Sequence, residues 1–429
     1  MKNALKRVVV AVLTFEAKVL LNRTKPTIIA ITGSVGKTST KDAIFTVLKN
    51  HKKTRKSQKS FNSEIGVPLS ILGLPNGWDN PFTWFKNFFD GFIIAFFSRN
   101  YPEVLVLECG VDRPGDMANL TKWMKPDIVV MTRLPDVPAH VEYFVTPEAV
   151  VAEKMELLKA LKPDGVFIYN HDDMKLQEAV ASVRQQAIGF ARYLPTHYMA
   201  SADAIVYHND EPVGSTFTLT HLSEQTPIKV MGSIGMQNAY VVAAAAAVAA
   251  QFDISLESVA TAMLEHASPA GRMRMIPGIK GSLIIDDTYN SSPVAVEAAL
   301  TSLSEIRGAK RKIAIIGDML ELGQFSSRAH EKVGEQVPKC ADVLFTIGVR
   351  SRKIAETAVE FGMHEKFVFQ YDDSVRAGRE LQSFVQPGDV ILIKASQGVR
   401  AEKIVEEIMA HPEHAASLLV RQDSSWKQR

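Results

Sequence analysis

A short segment near the start of the chain has the residue types and the spacing of a phosphate-binding loop. A β-rich run at 27–32 leads into the loop residues Gly33, Ser34, Val35, Gly36, Lys37, Thr38 and Ser39. Glycines let the backbone N–H groups turn towards a phosphate, and the N-terminus of the following helix favours negative charge. The Lys37 ammonium would reach the terminal phosphates, and the Thr38 hydroxyl would coordinate Mg²⁺. An ordinary glycine turn is the alternative, because the strict pattern has glycine where this chain has Ile31.

Two further side chains are candidate ligands for a metal ion beside that phosphate. Glu108 follows the apolar run Val104–Leu107, and the carboxyl end of a buried parallel strand is where open α/β sheets bind ligands. Carboxylates are common Mg²⁺ ligands, although a solvated strand end would carry the same residue. His140 follows the run Ile128–Met131, and it is either a second metal ligand or a structural histidine.

Lys154 lies on the apolar side of a predicted helix. Thr146 and Pro147 provide a helix start. Val150 and Leu157 lie four residues before and three residues after Lys154, which places all three on one face. Burial of an unpaired ammonium lowers its pKa, and a neutral amine can react with CO₂ to form a carbamate that binds metal ions. The alternative is that Lys154 extends to solvent.

The elements that position these residues alternate between strand-like and helix-like patterns. The first short β-rich runs lie at 27–32, 104–107, 128–131 and 166–169. Their spacing predicts an α/β fold with a mostly parallel, doubly wound sheet. The alternating runs Phe217–Thr220 and Ile228–Met231 predict an antiparallel edge, and Ala239–Ala250 predicts a buried helix.

A second series of strands begins after residue 270, with runs at 283–286, 312–316, 343–347, 367–370 and 390–393. This series predicts a Rossmann-like α/β domain at the C-terminal end. We therefore expect an N-terminal amphipathic helix at 1–26, a central nucleotide-binding domain with the phosphate loop at 27–267, and a C-terminal domain at 268–429.

The composition excludes several classes of protein. Apolar residues form 46% of the chain and charged residues 22%, which rules out disordered and fibrous proteins. The formal net charge of +2 predicts no nucleic-acid partner. The two cysteines, Cys109 and Cys340, are too few for a disulfide framework or a four-thiolate zinc site. We expect a cytoplasmic protein.

A series of short motifs follows one order along the chain. They include TGSVGKTST at 32–40, FNSEIGVP at 61–68 and DDTYN at 286–290. The others lie at 108–110, 114–115, 139–142, 153–154, 235–238, 271–272 and 317–323. Together they are far more specific than any one motif, and the chain resembles the Mur ligase family. These are ATP-dependent amide ligases that build peptidoglycan stem peptides.

This resemblance implies roles for the residues already singled out. The loop 33–39 would bind the phosphates of ATP, with Lys37 as a catalytic residue. Glu108 and Thr38 would hold one Mg²⁺ ion. His140 and a carbamylated Lys154 would serve a second Mg²⁺ ion and complete the catalytic set.

The resemblance also assigns residues to the rest of the nucleotide and to the substrates. Asn238 would contact the adenine and Asp287 the ribose. Arg272 would reach the phosphates from the C-terminal domain. Asn62 would form part of the wall on the acceptor side, and Asn290 would shape the site for the incoming amine.

The implied reaction is the addition of D-alanyl-D-alanine to the carboxyl group of a muramoyl stem peptide. ATP would phosphorylate the carboxylate, and the amine would attack the resulting acyl phosphate to give amide, ADP and phosphate. Two Mg²⁺ ions and Lys37 would offset charge on the transferring phosphoryl group. Closure of the C-terminal domain would bring Arg272 and Asp287 over the nucleotide.

Departures from the family pattern leave alternatives open. Gln237 and Val241 stand where the family has histidine and asparagine, so the adenine contacts are open.

About 26 residues precede the first strand, where related ligases carry a domain that binds the UDP-sugar. We therefore expect a separate UDP-sugar-binding subunit, a different way of holding the substrate, or a lipid-linked or free muropeptide as acceptor. An amidating subunit is a further alternative, although its usual four-cysteine zinc ribbon cannot form here. The last alternative is a non-catalytic ATP-binding scaffold.

Two apolar segments are not explained by the family. Val8–Phe15 resembles the core of a signal peptide, but Glu16 and Lys18 interrupt it, so an amphipathic helix is predicted. Aromatic residues crowd 78–101, and one helical face would carry Phe85, Phe88, Phe89, Phe92 and Phe96. This segment would form either a pair of helices that covers the sheet or an interfacial surface at the inner face of the membrane.

Overall fold

Two β-sheets organise the fold. The computed structural model describes residues 2–58, 61–78, 80–423 and 426, with side chains from residue 6 onwards. The predicted outer limits of the first and last domains, residues 1 and 429, lie outside this part of the chain. One sheet has nine strands and the other has six. The predicted α/β architecture, with a mostly parallel main sheet and a second C-terminal sheet, is confirmed.

The larger sheet is built from the first part of the chain. Its strands are β1 Thr27–Thr32, β2 Thr54–Lys56, β3 Val104–Glu108, β4 Ile128–Met131, β5 Val166–Asn170, β6 Gln186–Ala191, β7 Tyr198–His208, β8 Glu211–His221 and β9 Glu224–Met231. They lie in the order β2-β3-β1-β4-β5-β6-β7-β8-β9. Neighbours are parallel from β2 to β7 and antiparallel from β7 to β9. The predicted antiparallel edge is confirmed, and its strands are longer than predicted because the ladders continue through polar residues.

Helices cover both faces of the larger sheet. They are α1 Lys2–Thr24, α2 Lys37–Leu48, α3 Gly66–Leu72, α4 Pro81–Phe97, α5 Asp116–Thr121, α6 Pro147–Lys159, α7 Met174–Val180, α8 Gln237–Ala249 and α9 Leu256–Leu264. One core lies under α2, α8 and α9, and the other under α1, α3, α5 and α6. The alanine-rich α8 is buried, as predicted, because its small side chains allow close packing on α2.

The smaller sheet follows α9. Its strands are β10 Arg274–Pro277, β11 Leu283–Asp287, β12 Arg311–Gly317, β13 Val343–Ile347, β14 Val368–Tyr371 and β15 Asp389–Lys394. The order is β10-β11-β15-β12-β13-β14, and every pair except β10–β11 is parallel. Its helices are α10 Pro293–Glu305, α11 Ser326–Cys340, α12 Arg352–Glu360, α13 Ser374–Phe384, α14 Glu402–Ile408 and α15 Ala415–Leu418.

The two apolar segments near the N-terminus form helices that pack on each other. The predicted N-terminal helix is α1, which buries Leu13 and Leu20. The prediction of a helical pair in the aromatic segment is wrong, because the segment forms one helix, α4, which buries the small residues Gly91 and Ala95. Within the described residues, no helix combines the length and the apolar character needed to cross a bilayer.

Candidate active site

The phosphate loop connects β1 to α2, where the sequence predicts it. Gly33 and Gly36 have φ angles of 136° and 86°, values that favour glycine. A Cβ atom on Gly33 would lie 2.1 Å from Thr132 Oγ1, so the loop passes the end of β4 only with glycine there. Lys37 Nζ donates to Gly33 O at 2.9 Å, which holds the ammonium over the loop. Burial lowers the pKa of Lys37, and the charge of Glu108 opposes this effect.

Glu108 lies at the carboxyl end of β3, beside the loop. Its Oε1 accepts hydrogen bonds from Thr38 Oγ1 at 3.2 Å and from Asn62 Nδ2 at 3.4 Å. Oε2 has no hydrogen-bond donor among the described residues and lies 3.7 Å from Lys41 Nζ. Glu108 is 2% exposed, and a buried carboxylate oxygen without a donor is costly. This oxygen is suited to bind a cation.

Lys154 is directed into the protein from α6. The helix begins where Thr146 Oγ1 accepts a hydrogen bond from Ala149 N at 3.3 Å. Lys154 is 2% exposed, and Val150 and Leu157 on the same face are buried. The inward orientation predicted from the apolar stripe is confirmed, and the alternative of a solvent-exposed amine is wrong.

The surroundings of Lys154 make its amine unusual. Within the described residues, Lys154 has no hydrogen-bond or ion-pair partner. Burial, reinforced by the charge of Lys37 and opposed by Asp112 and Glu153, lowers its pKa to about 7. Glu153 Oε1 accepts hydrogen bonds from two backbone N–H groups at the start of α5. A large fraction of neutral amine is therefore expected at neutral pH.

His140 joins the two parts of the molecule. Its Nε2 lies 3.6 Å from Asp112 Oδ1, and its Nδ1 lies 2.5 Å from Glu321 Oε2. Glu321 follows β12 of the smaller sheet, and its carbonyl oxygen accepts a hydrogen bond from Glu142 N at 3.2 Å. The contact with His140 lowers the pKa of Glu321. The imidazole is thus held between carboxylates from both sheets.

A cavity of about 750 Å³ lies between the two sheets. Eight of the predicted site residues line it: Ser34, Val35, Lys37, Asn62, Glu108, His140, Arg272 and Asn290. The others are not part of the lining: Gly33, Gly36, Thr38, Ser39, Lys154, Asn238 and Asp287. The phosphate loop and the C-terminal sheet therefore face one space, which could enclose a nucleotide and a second substrate.

The C-terminal side of the cavity presents a guanidinium group and an amide. The Arg272 guanidinium stacks over the Tyr289 ring at 4.2 Å. Its Nε is buried and has no hydrogen-bond acceptor among the described residues. Asn290 Oδ1 accepts a hydrogen bond from Ser291 N at 2.9 Å. Arg272 is therefore an available donor for an anion in the cavity.

Two residues predicted to contact the nucleotide already have partners inside the protein. Asp287 is 6% exposed, and its Oδ2 lies 2.6 Å from Lys394 Nζ. Asn238 Nδ2 lies 3.3 Å from Ser233 Oγ. Gln237, rather than Asn238, lines a small cleft beside the phosphate loop. The contacts of Asp287 with ribose and of Asn238 with adenine stay predictions.

The residues present fit magnesium better than a soft metal. In the described part of the chain, no three His, Cys, Asp or Glu side chains cluster as a metal site. An ion at Glu108 would therefore add hydroxyl, phosphate or water oxygens, which is the ligand set that Mg²⁺ prefers. Oε2 of Glu108, which lacks a hydrogen-bond donor among the described residues and lies 3.7 Å from Lys41 Nζ, fits this role. Lys154 would fit it only as a carbamate, which presents oxygen atoms.

Three charged residues near the site were not identified from the sequence. Asp112 and Glu321 line the cavity and contact His140. Glu321 belongs to the motif at 317–323, which could have indicated it. Lys394 ends β15, and the carboxyl edge of a parallel sheet was a signal for this residue as much as for Glu108.

Comparison with known families places both sheets in one group of enzymes. Residues 91–248 match the Mur ligase middle domain. Residues 271–397 match the profile described as Mur ligase, glutamate ligase domain. The first match contains Glu108, His140, Lys154 and Asn238, and the second contains Arg272, Asp287 and Asn290.

Individual relatives align over most of the chain. The UDP-N-acetylmuramoyl-tripeptide–D-alanyl-D-alanine ligase of Bacillus subtilis is 29% identical over 397 residues, covering 92% of this chain and 79% of that protein. The enzyme of the same name from Mycobacterium leprae is 30% identical, covering 87% of this chain and 71% of that protein.

A solved structure has the same architecture. The MurF ligase of Thermotoga maritima, in complex with ADP, has a TM-score of 0.75 and 25% identity, covering 93% of this chain and 83% of that one. MurF from Acinetobacter baumannii, at 21% identity, has a TM-score of 0.74, which supports the fold alone.

Proposed function

The chain belongs to the Mur ligase family, whose members are ATP-dependent ligases that form amide bonds, and we propose that it adds D-alanyl-D-alanine to a muramoyl tripeptide. The observation that carries this is one shared cavity lined by Lys37, Asn62 and Asn290, which come from the domains of both sheets. The activity named for the relatives supports the same reaction in peptidoglycan precursor synthesis. The ADP bound to the Thermotoga ligase supports ATP as the nucleotide.

The reaction proceeds in two steps. A carboxylate oxygen of the acceptor attacks the γ-phosphorus of ATP, the bond to the β,γ-bridging oxygen breaks, and ADP leaves. The amine of the dipeptide then attacks the acyl carbon, the carbon–oxygen bond to phosphate breaks, and the amine loses a proton. Lys37, held over the loop, offsets the charge of the transferring phosphoryl group. The cavity walls orient the two substrates and exclude water.

Magnesium is assigned to the Glu108 side of the cavity. Thr38 and Asn62 hold Oε1 of Glu108 in place, so Oε2 stays directed away from them. When bound there, Mg²⁺ would neutralise phosphate charge. His140, near Asp112, is assigned to a second ion.

We assign a carbamate to Lys154. CO₂ would form a bond with the neutral amine, and one proton would be released. The resulting anion would remove the repulsion between the Lys154 and Lys37 charges. It would also supply the oxygen ligands that the described His, Cys, Asp and Glu residues do not supply as a cluster. Burial, the absence of a partner among the described residues and the lowered pKa all support this assignment.

The remaining assignments concern the nucleotide. Arg272 would contact its phosphates, because Arg272 lines the cavity and its Nε has no acceptor among the described residues. Asn238 is proposed for adenine, with Gln237 beside it. Asp287 is proposed for ribose, which would require it to keep or exchange its contact with Lys394.

The organisation of the chain and its location complete the proposal. We place the domain limits at 1–26, 27–267 and 268–429, which keep each β-sheet within one domain. We place the protein in the cytoplasm at the inner face of the membrane. A separate subunit that binds the UDP-sugar stays a prediction.

A phosphate-release assay tests the function. The acceptors are UDP-linked, lipid-linked and free stem peptides, each with and without D-alanyl-D-alanine, and mass spectrometry identifies the product. We expect phosphate release only when an acceptor and the dipeptide are both present. The variant Lys37→Ala is the control and should release none.

Other outcomes would support the alternatives. Product formation from ammonia or glutamine instead of the dipeptide would identify an amidating subunit. No ATP consumption with any acceptor would favour a non-catalytic scaffold. Turnover only after addition of a second polypeptide would identify the separate UDP-sugar-binding subunit.

A further inference from the structure

The helix α4 exposes an unusually large aromatic face. Phe82, Phe85 and Phe97 are 82%, 75% and 67% exposed. The rest of the exposed apolar set on and before this helix is Trp78, Phe89, Phe92, Ile93 and Phe96. The N-terminus of the helix is stabilised by Asn80, whose side chain accepts hydrogen bonds from Phe82 N and Thr83 N.

α4 faces the protein with a narrow side, at whose edges the aromatic residues Trp84 and Phe88 are partly buried against the core. Asn87, Gly91 and Ala95 are buried, and they recur every four residues on one side. A Cβ atom on Gly91 would lie 2.1 Å from Glu16 Oε2, so α1 approaches α4 closely at this point. Because α4 buries this narrow side, its opposite side is left to solvent.

The exposed aromatic area is larger than monomeric proteins usually tolerate. The five most exposed phenylalanines of α4 present roughly 670 Å² if each side chain has about 200 Å² of surface. Patches above a few hundred Å² typically mark an interaction surface. The helix α1, which packs on α4, adds Val8 and Phe15, which are 54% and 58% exposed and lie seven residues apart on one side of that helix.

The border of this surface is basic. The exposed charges of α1 from residue 6 onwards are Lys6, Arg7, Lys18 and Arg23, whereas its acid, Glu16, is buried. Arg7 and Lys18 lie eleven residues apart, on the side of α1 next to Val8 and Phe15. Arg23 Nη2 donates to Ile94 O at 3.0 Å, which fixes a cation beside α4.

The charges on α4 itself follow the same pattern. Lys86 is exposed, whereas Asp90 is only partly so, and Arg99 follows the end of the helix. An aromatic centre with a cationic border is complementary to an anionic bilayer, which offers acyl chains below a layer of phosphate groups. A second protein or a second copy of the chain would need only the apolar part.

We propose that α4 and the adjoining side of α1 bind the surface of an anionic lipid bilayer. The phenylalanines enter the boundary between headgroups and acyl chains, and Arg7, Lys18 and Lys86 pair with lipid phosphates. Lys6 Nζ lies 2.7 Å from Glu64 Oε1, and Glu64 is two residues from Asn62 at the cavity. The acceptor side of the cavity therefore lies near the membrane-binding surface.

Vesicle flotation with the full chain tests the proposal. The vesicles contain phosphatidylcholine with or without phosphatidylglycerol, at low and high salt. The wild-type protein should float with phosphatidylglycerol vesicles and lose binding as salt rises. The triple variant Phe82→Ser/Phe85→Ser/Phe89→Ser should bind at least about tenfold more weakly. These side chains are exposed, so an unchanged thermal unfolding temperature would show that the fold is retained.

Two further variants separate the aromatic and basic contributions. The variant Arg7→Gln/Lys18→Gln/Lys86→Gln should bind about tenfold more weakly and lose most of the salt dependence. The control Leu222→Ser/Val349→Ser/Phe361→Ser removes exposed apolar residues elsewhere and should bind like the wild type.

Some results would overturn the proposal. One is a wild-type protein that stays with the vesicle-free fraction at low salt. Another is equal loss of binding in the control variant. A third is a dimer, seen by sedimentation, that the triple phenylalanine variant dissociates without any vesicle binding, because a second copy would then cover the surface. Binding does not depend on the ligase reaction, so Lys37→Ala should bind vesicles like the wild type.

Discussion

Each of the two sheets has a buried lysine beside it, and the two lysines differ in their partners. Lys394 ends β15 of the smaller sheet, where Nζ lies 2.6 Å from Asp287 Oδ2 and donates to Asn290 O at 2.9 Å. Lys154 lies on α6 beside the larger sheet and has no such partner among the described residues. Both are no more than 2% exposed.

The difference shows how a partner decides what a buried amine can do. Burial lowers the pKa of Lys394, but the charge of Asp287 opposes this and keeps the ammonium form paired. At Lys154 the charge of Lys37 acts in the same direction as burial, and the opposing carboxylates Asp112 and Glu153 form no ion pair with it among the described residues. A paired amine holds two strands of the fold together, whereas an unpaired one is free to react.

The largest effect is expected from Lys154→Ala. Turnover should fall by at least about 10³-fold, because the proposed anionic metal ligand is lost. Short-chain carboxylates such as acetate and propionate should restore part of it by occupying the vacated space. The protein should stay folded, since no described hydrogen bond or ion pair is broken. Phosphate release and thermal unfolding measure the two effects.

The exposed Lys159 on the same helix provides a matched control. Lys159→Ala should retain turnover within about twofold, as is usual for surface changes. If Lys154→Ala also retained turnover, the two lysines would be equivalent in function and the carbamate assignment would be wrong.

Unlike Lys154→Ala, which should lower turnover and leave the protein folded, Lys394→Met should lower stability. It leaves Asp287 buried without its cation, so the free energy of unfolding should fall by about 3 kcal/mol. The double variant with Asp287→Asn should recover part of this loss, which a double-mutant cycle in urea would measure. The control Lys403→Met, at an exposed position of α14, should change stability by less than about 0.5 kcal/mol. A stability unchanged by Lys394→Met would contradict a structural role for this pair.

The sequence distinguished these lysines only in part, for a physical reason. Lys154 was found because helical periodicity places it among Val150 and Leu157, and periodicity is a local property. The pair of Lys394 with Asp287 joins residues 107 positions apart, and nothing local predicts which strands become neighbours. The contact of His140 with Glu321 was missed for the same reason.

The fold, too, was predictable where local patterns determine it and not where contacts between distant segments do. The phosphate loop and the parallel strands were predicted because buried strands are short, apolar and bounded by turns. The outward orientation of the α4 phenylalanines was left open, because an amphipathic pattern does not say which side faces the protein. Here Gly91 and Ala95 face it, so that α1 can approach.

A ¹³C-bicarbonate experiment separates the two amines directly. The NMR spectrum of the wild type should show a protein-bound carbamate signal that disappears in Lys154→Ala and persists in Lys394→Met. Turnover in CO₂-depleted buffer should fall several-fold and return when bicarbonate is added. A carbamate signal that persists in Lys154→Ala would show that another amine carries the modification.

The smallest effect is expected at Glu16. For this acid, as for Lys154, burial without a partner shifts the pKa so that the neutral form is favoured. Glu16 is 4% exposed, its Oε2 has no donor among the described residues, and burial raises its pKa from 4.5 to about 7. The unfolded chain loses this proton near pH 4.5 and the folded chain near pH 7. Stability due to Glu16 is therefore full below pH 4.5, falls as pH rises to about 7, and stays low above it.

Glu16→Gln removes this charge and should flatten the pH dependence. Relative to the wild type, the variant should gain about 1–2 kcal/mol of stability between pH 5 and pH 8. Thermal unfolding at a series of pH values measures this gain, and Glu103→Gln, at an exposed position, is the control with a parallel profile. If the pH dependence of stability of Glu16→Gln also ran parallel to that of the wild type, burial of a group without a partner would not cost stability here. The contrast between Lys154 and Lys394 would then need a cause other than pairing.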